Sequence, residues 1–326
     1  MQQPTTQSKS RLDSFFAIPA AAVVLAILCN ILWGSALPFI KMGYRLFVIE
    51  SGDTPSILCF AGVRFMLGSA LVYLFGALLQ HRPLVFPRGR VLASCCGLGL
   101  WQTTAQYFFY YAAVAALTGS FGGILNSTQS FMGVILAHFL YGQADRLTPR
   151  KALGCALGFG GVLVATLGTH GGGSGWGVTC MLIASAIFAC AGPWNKAVTK
   201  QADSFSVSCI NLGLGGLTLL VIGLVMGGSL HPQSAAAIPV LLYLAFISGA
   251  GYVLWALLMK NNPVSRIAVF GLLIPIINTL LSALLNGEPL FEPQYAAALV
   301  LVCGGIFLVN RAKKTPAQAP DQAGKL

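Results

Sequence analysis

Carboxylates are scarce in this chain: eight Asp and Glu in 326 residues, with charged residues of both signs making up only 8%. A soluble globular protein carries about 25% charged residues to keep its surface in water. This composition therefore excludes a cytosolic enzyme, a disordered chain and a secreted disulfide scaffold. None of the eight carboxylates falls well inside an apolar run, so the commonest intramembrane proton carrier is missing too. The nine cysteines are odd in number, lie in apolar segments and never form CxxC, which argues against a disulfide framework and a zinc site. There is no HExxH, no GxSxG and no Walker lysine loop. No metal, cofactor, nucleotide or nucleic-acid partner is expected, and ATP-driven pumping by this chain alone is excluded.

What the chain has is hydrophobic surface, 56% of its residues. A bilayer core about 30 Å thick needs roughly 20 apolar residues per helix. Ten such runs are readable, at 18–40, 56–79, 91–112, 119–141, 152–168, 176–195, 206–227, 238–259, 266–286 and 294–310. The first exceeds the apolar stretch of a cleaved signal peptide, so it is expected to be retained. The net charge of +11 follows the same punctuation. Sixteen of the nineteen Lys and Arg fall in 1–17, 80–90, 142–151, 196–205, 260–266 and 311–326; Lys41 and Arg45 lie in the alternate segments and Arg64 lies inside a run. Basic loops stay on the cytoplasmic side. The expectation is a multi-pass protein of the cell inner (plasma) membrane with both termini cytoplasmic.

Ten runs with both ends on one side divide into two sets of five, and because five is odd the second set is inverted. The sequence supports that division. An offset of 145 pairs Tyr107 with Tyr252, Tyr110 with Trp255, Ser120 with Ser265 and Gly142 with Gly287. An offset of 144 pairs Pro149 with Pro293 and Gly160-Gly161 with Gly304-Gly305, while 155 pairs Pro38 with Pro193, Phe39 with Trp194 and Lys41 with Lys196. Inverted repeats mark alternating-access transporters, whose binding site lies where the halves meet. The expected division is a cytoplasmic tail 1–17, a first repeat 18–168, a Gly-rich extracytoplasmic linker 169–175, a second repeat 176–310 and a cytoplasmic tail 311–326.

The segments ILWGSALPFIK (31–41) and RIAVFGLLIPIINTLLSALLNGEPLFEPQYAAALVLVCGGIFLV (266–309) resemble the EamA-type members of the drug/metabolite transporter superfamily. The resemblance covers roughly 20–310 as two EamA-like halves and is most specific at Pro275, Gly287-Glu288 and Gly304-Gly305. The first half departs from it: Ser130 stands where a proline would match Pro275, and Gln143 replaces the usual acidic residue after Gly142. The resemblance implies an all-α membrane protein of ten helices as two inverted five-helix repeats, exporting small metabolites or drugs. It also implies a central cavity lined by the first, third, fourth, sixth, eighth and ninth helices.

Several residues are candidates for the site. WQTTAQYFFYY (101–111) places Gln102, Gln106 and Tyr110 on one face at spacings of four, with Thr103, Tyr107 and Tyr110 as an overlapping stripe. Ser248, Tyr252, Trp255 and Met259 recur in the eighth run at spacings of four, three and four; Asn126, Gln129, Ser130 and Gly133 share a face of the fourth, and Gly271, Pro275, Asn278 and Ser282 one of the ninth. The expected substrate-binding set is Gln102, Gln106, Tyr107, Tyr110, Asn126, Gln129, Tyr252, Trp255 and Asn278. Each buried amide has a second reading as glue between helices. Arg64 can hold a substrate carboxylate or tie its helix to backbone carbonyls; the resemblance implies an arginine there whatever the substrate, which favours the tie. His138 can carry a proton or simply bond a neighbouring carbonyl. Pro38, Pro193 and Pro275 read as hinges or as static kinks, and Trp33 and Trp194 as interfacial anchors.

The function expected from these residues is export of a small amphipathic metabolite, an amino acid or a related compound, by a secondary transporter working with the lipid bilayer, with a monomer as the starting expectation. A membrane-embedded enzyme is the contrasting class. It needs an acid/base pair or metal cluster at its site, and only one of the four histidines, His138, lies inside a run. A non-transporting receptor or scaffold is the third.

Overall fold

A computed structural model describes residues 11–50, 52–117, 119–165, 175–274, 276–277, 280–281 and 293–311. Pro275, Asn278, Ser282, Gly287, Glu288, Glu292, the linker 169–174 and the tails 1–10 and 312–326 lie outside the described residues. The described chain is helical, with no β-strand among these residues. A short α1 (Arg11–Ala17) leads into α2 (Pro19–Phe47) and α3 (Thr54–Gln80). Next, α4 (Gly89–Gly99) passes through a π-helical stretch, Leu100–Ala105, into α5 (Gln106–Ala116). After α6 (Gly119–Tyr141) come a 3-10 turn, Gly142–Asp145, and α7 (Pro149–Ala165). Then follow α8 (Gly175–Thr199), α9 (Ser204–Val225) and α10 (Ala237–Asn261). The next helix, α11 (Val264–Ala268), continues through a 3-10 turn, Val269–Leu272, and α12 (Pro293–Arg311) is the last.

Local chemistry sets the boundaries. Asp53 caps α3 by accepting from the Ser56 N–H at 3.1 Å, and Asp203 caps α9 by accepting from those of Phe205 and Ser206. Both α7 and α12 open on a proline, Pro149 and Pro293, where a missing N–H costs nothing. Gly142 stops α6 with φ +50°, a conformation that a side chain resists. Helix α2 runs on to Phe47, past the apolar run, so Lys41 and Arg45 sit on its last turns. Hydropathy marks only the apolar body of a helix; long basic stems extend it toward water.

Among the described residues five helices are long and apolar enough to cross a membrane: α2, α3, α8, α9 and α10. Their outward faces are as apolar as their inward ones. Leu79, Val225 and Ile238 are 67%, 82% and 60% exposed, while Phe60, Phe65, Leu212 and Leu219 are fully buried. A helix hydrophobic all round has lipid on one side and protein on the other.

Packing follows the repeat. Helix α3 lies along α9, and α7 along α12, while α2 packs on α10 as α5 packs on α8. The contacts depend on small residues. A Cβ at Gly62 would fall 2.7 Å from the Gly216 carbonyl, and one at Gly154 would fall 2.7 Å from that of Gly305. Gly160 and Gly304, by contrast, face open space. Two polar links tie the two halves at one end. Asp13 on α1 pairs with Lys260 at 2.9 Å and accepts from Asn261. Asp145 pairs with Lys151 at 2.6 Å and accepts from both the backbone N–H and the hydroxyl of Ser265, at the start of α11.

Candidate functional site

A cavity lies where α2, α6, α8, α10 and α11 meet. Asn30 and Trp33 enter from α2, Gln129, Ser130 and Gly133 from α6, Phe188, Ala189 and Gly192 from α8, and Trp255 and Met259 from α10. Val264 and Ala268 of α11, with Gly271 and Ile274 beyond it, close the wall. The free space is about 10 Å³, room for one water.

Three rings form its apolar side. Trp33 and Trp255 are 5.3 Å apart, Phe188 and Trp255 5.5 Å, and Trp33 and Phe188 6.0 Å, between ring centroids. Trp33 fits there because α10 has no side chain at Gly251, where a Cβ would strike the indole. Polar atoms complete the wall, and three of them are buried without a partner: Asn30 Oδ1, Ser130 Oγ and Trp255 Nε1. The Asn30 amide nitrogen is already spent on the Ala26 carbonyl at 2.6 Å, so its oxygen is free to accept. The site thus offers an indole N–H and a hydroxyl as donors, an amide oxygen as acceptor, and rings to cover an apolar body.

A second polar region adjoins it along α10. The Thr103 hydroxyl donates to Asn211 Oδ1 at 2.7 Å, so the Tyr252 hydroxyl, 3.1 Å away, donates to Thr103. Asn211 Nδ2 donates in turn to Gln102 Oε1 at 2.8 Å. This chain of bonds joins α10, the π-helical stretch and α9.

Of the residues expected at the site, Gln129 and Trp255 line the cavity. Tyr252 flanks it, 6.3 Å from Trp33. Gln102 instead turns to α9, and Tyr107 and Tyr110 pack on Phe65 and Tyr111. The reason is the π-helical stretch: its wider turn rotates everything beyond Ala105 relative to an α-helix, so the four-and-four spacing does not keep one face. Gln106 is buried with Oε1 unpaired, and Asn126 is half-buried on α6; neither lines the cavity. His138 lies in the last turn of α6, its Nδ1 unpaired and its ring 5.3 Å from Phe139. Pro38 and Pro193 are both buried inside helices that continue past them. Arg64 is buried against Ser248, whose hydroxyl accepts from its Nε at 2.9 Å.

Trp33 is no interfacial anchor, since it stands at the centre of the ring cluster. Trp194 donates to the Ser94 hydroxyl at 2.9 Å and ties α8 to α4. Phe188 was missed altogether, although the offset of 155 that pairs Pro38 with Pro193 also pairs Trp33 with Phe188. The third run, α4 to α5, contributes nothing to the described wall.

The EamA-like transporter family model matches the chain twice, over residues 20–167 and 175–311. The chain belongs to the EamA-like transporter family. Two relatives carry the name probable amino-acid metabolite efflux pump. That of Salmonella typhimurium is 29% identical over 295 residues, covering 86% of this chain and 92% of its own. That of Escherichia coli is 28% identical over 296 residues with the same coverage. A solved crystal structure shares the fold at a TM-score of 0.71 and 18% identity, over 89% of this chain and 96% of the other. Measured against the two EamA matches, the cavity is composite. Asn30, Trp33, Gln129, Ser130 and Gly133 belong to the first, and Phe188 through Ile274 to the second.

Proposed function

We propose that this membrane protein is a secondary transporter that exports a small amphipathic metabolite, an amino acid or a related compound, by alternating access between two inverted five-helix repeats. The observation that carries the reading is the composite cavity with its three unpaired polar atoms. Buried polar groups are normally satisfied, and these three belong to residues that line one cavity beside a ring cluster at the seam between the two family units. Sites of inverted-repeat transporters lie at that seam. The names of the two efflux-pump relatives agree with the substrate class.

In this reading the ten apolar runs are ten spans, divided as 18–168 and 176–310 about the linker 169–175. Tails 1–17 and 311–326 are cytoplasmic, and the protein resides in the inner (plasma) membrane. The pairing of α2 with α10 and of α5 with α8 supports it, because exchanging the repeats turns one contact into the other. Gln129 and Trp255 touch the substrate. Gln102, Gln106, Tyr107, Tyr110, Asn126, Tyr252 and Asn278 surround it or become exposed to it as the halves rock, with Pro38, Pro193 and Pro275 as hinges. An amino acid is far larger than 10 Å³, so in this reading the cavity widens as the halves rock. His138 and the helix-end carboxylates are not needed to hold the substrate.

Liposome flux with a panel of labelled amino acids tests the reading. Uptake against an internal substrate load is expected, with loss in Trp255→Ala; flux of no panel member sinks it. Orientation is tested with a membrane-impermeant thiol reagent on single-cysteine variants of a cysteine-free background. Labelling of the tails in intact cells would overturn the inverted arrangement.

A further inference from the structure

Among the described residues, Arg64 is a buried charge with a free donor. It is only 4% exposed, midway along α3, and its NH1 has no partner. Nε is held by Ser248, and the guanidinium lies 4.6 Å from the Phe65 ring centroid. Among the described residues no carboxylate answers it. Asp13 and Asp145 pair with Lys260 and Lys151, Asp53 and Asp203 cap helices, and Glu50 is exposed beyond α2. A guanidinium kept from water needs a counter-charge or a full set of acceptors.

What surrounds it instead is phenol. The Tyr107 ring packs on Phe65 at 4.6 Å between centroids, and its phenol is electrostatically coupled to Arg64 and Tyr252. Tyr44, Tyr110 and Tyr111 lie within electrostatic reach of the same guanidinium, with Tyr110 and Tyr111 packed around Tyr107 at 6.1 Å and 5.8 Å. These hydroxyls come from α2, α5 and α10, so both family units build the shell. The Tyr252 O–H is already given to Thr103; the other phenols can donate to an anion, and a guanidinium edge matches the two oxygens of a carboxylate. A tie between α3 and α10 would use Nε alone and would not call for an unpaired NH1 in such a shell.

The place along the helix also matters. Ser248 precedes Trp255 by about two turns of α10, roughly 10 Å at 1.5 Å per residue. Between them stand Tyr252 and the rings it touches, Trp33 at 6.3 Å and Phe65 at 6.4 Å. The Arg64 shell is therefore set off from the cavity, behind an aromatic layer.

We propose that Arg64 and the tyrosine hydroxyls around it form a carboxylate subsite, which takes the acidic end of the transported molecule when the Trp33–Tyr252 layer parts. The proposal rests on the transport reading and deepens it, since it makes the substrate a carboxylate. A free halide would satisfy the same chemistry, so the test separates the two sources.

The test is thermal stability of the full-length protein, purified in detergent in a HEPES–Tris buffer low in small anions. The probes are L-phenylalanine, phenylacetate, phenylalaninamide and chloride. The wild type should be stabilised by phenylalanine and phenylacetate, with at least tenfold weaker apparent affinity in Arg64→Gln and no change for the amide. Arg64→Lys keeps the charge without the fork. It should weaken the two carboxylates about fivefold, and it decides the matter if Arg64→Gln does not elute as a monodisperse protein. Three results overturn the proposal: no stabilisation by either carboxylate, equal stabilisation in wild type and variants, or equal binding of the amide. Chloride acting as strongly as phenylacetate would overturn the assignment to substrate in favour of a halide. Liposome flux is unaffected by such a failure: amino-acid flux that persists in Arg64→Gln leaves the transport reading standing and this subsite refuted.

Discussion

Two polar regions meet on α10, four residues or fewer apart, and they are built on opposite principles. Around Tyr252 the hydrogen bonds close on themselves: Tyr252 to Thr103, Thr103 to Asn211, Asn211 to Gln102. Around Trp255 they are left open at Asn30, Ser130 and the indole itself. A closed chain fixes helices against one another, and its cost of desolvation is already met. An open set beside a ring cluster keeps donors and acceptors for something that comes and goes. Residue type does not separate the two regions, since each contains an amide, a hydroxyl and an aromatic ring. Satisfaction does.

That contrast can be broken most severely at the open region. Trp255→Ala removes a buried ring and the free N–H together. It is expected to weaken substrate affinity by about tenfold or more, since ring contacts alone are worth about 0.5–1.5 kcal/mol beyond area; Trp255→Phe, which keeps a ring, should recover part of that in the same binding assay. At the closed region the expectation reverses. Asn211→Ala leaves Gln102 and Thr103 with a missing partner, which costs about 1–3 kcal/mol of stability. Unfolding in a thermal or denaturant series should register it while apparent affinity stays within about twofold, the error such comparisons carry.

Gly251→Ala probes the seam between the regions. The added methyl meets the Trp33 indole, and overpacking of this kind costs about 1–3 kcal/mol. Both stability and affinity should fall, because the ring cluster must shift to admit it. Ser130→Ala deletes one unpaired hydroxyl and is expected to lower affinity a few-fold, as the loss of a single hydrogen bond of about 1 kcal/mol implies. Its melting temperature should stay near that of the wild type. The smallest effect belongs to Tyr73→Ala. Tyr73 is half exposed on α3 and stacks on Phe86 at 6.2 Å, away from both regions. If it weakens affinity as much as Trp255→Ala, the cavity is core packing and the contrast fails.

Much of the fold was legible because its causes are local. The apolar runs and the landmarks Gly142, Pro149 and Pro293 were read directly, and the structure adds Asp53 and Asp203 as caps; these residues act through the backbone within one turn. The site was legible only in part. Trp255 and Gln129 were read from helical spacing, and that spacing held because α6 and α10 are unbroken α-helices. Gln102 was read from the same kind of spacing in a segment that is π-helical, and it points to α9. Trp33 was discounted because a tryptophan near the end of an apolar run looks like an anchor. The run underestimated α2, which extends to Phe47 and puts Trp33 at mid-helix.

The sequence by itself determined that this is a helical membrane protein of two related halves. Charge scarcity, apolar runs and repeated landmarks are properties of the chain before it folds, and the lipid solvent acts on them directly. Only the tertiary structure decided which polar atoms are spent and which are free. Helices apolar on every side carry no inward-facing stripe to read, and a hydrogen bond between Thr103 and Asn211, or its absence at Trp255, exists only once the π-helical stretch, α9 and α10 have packed.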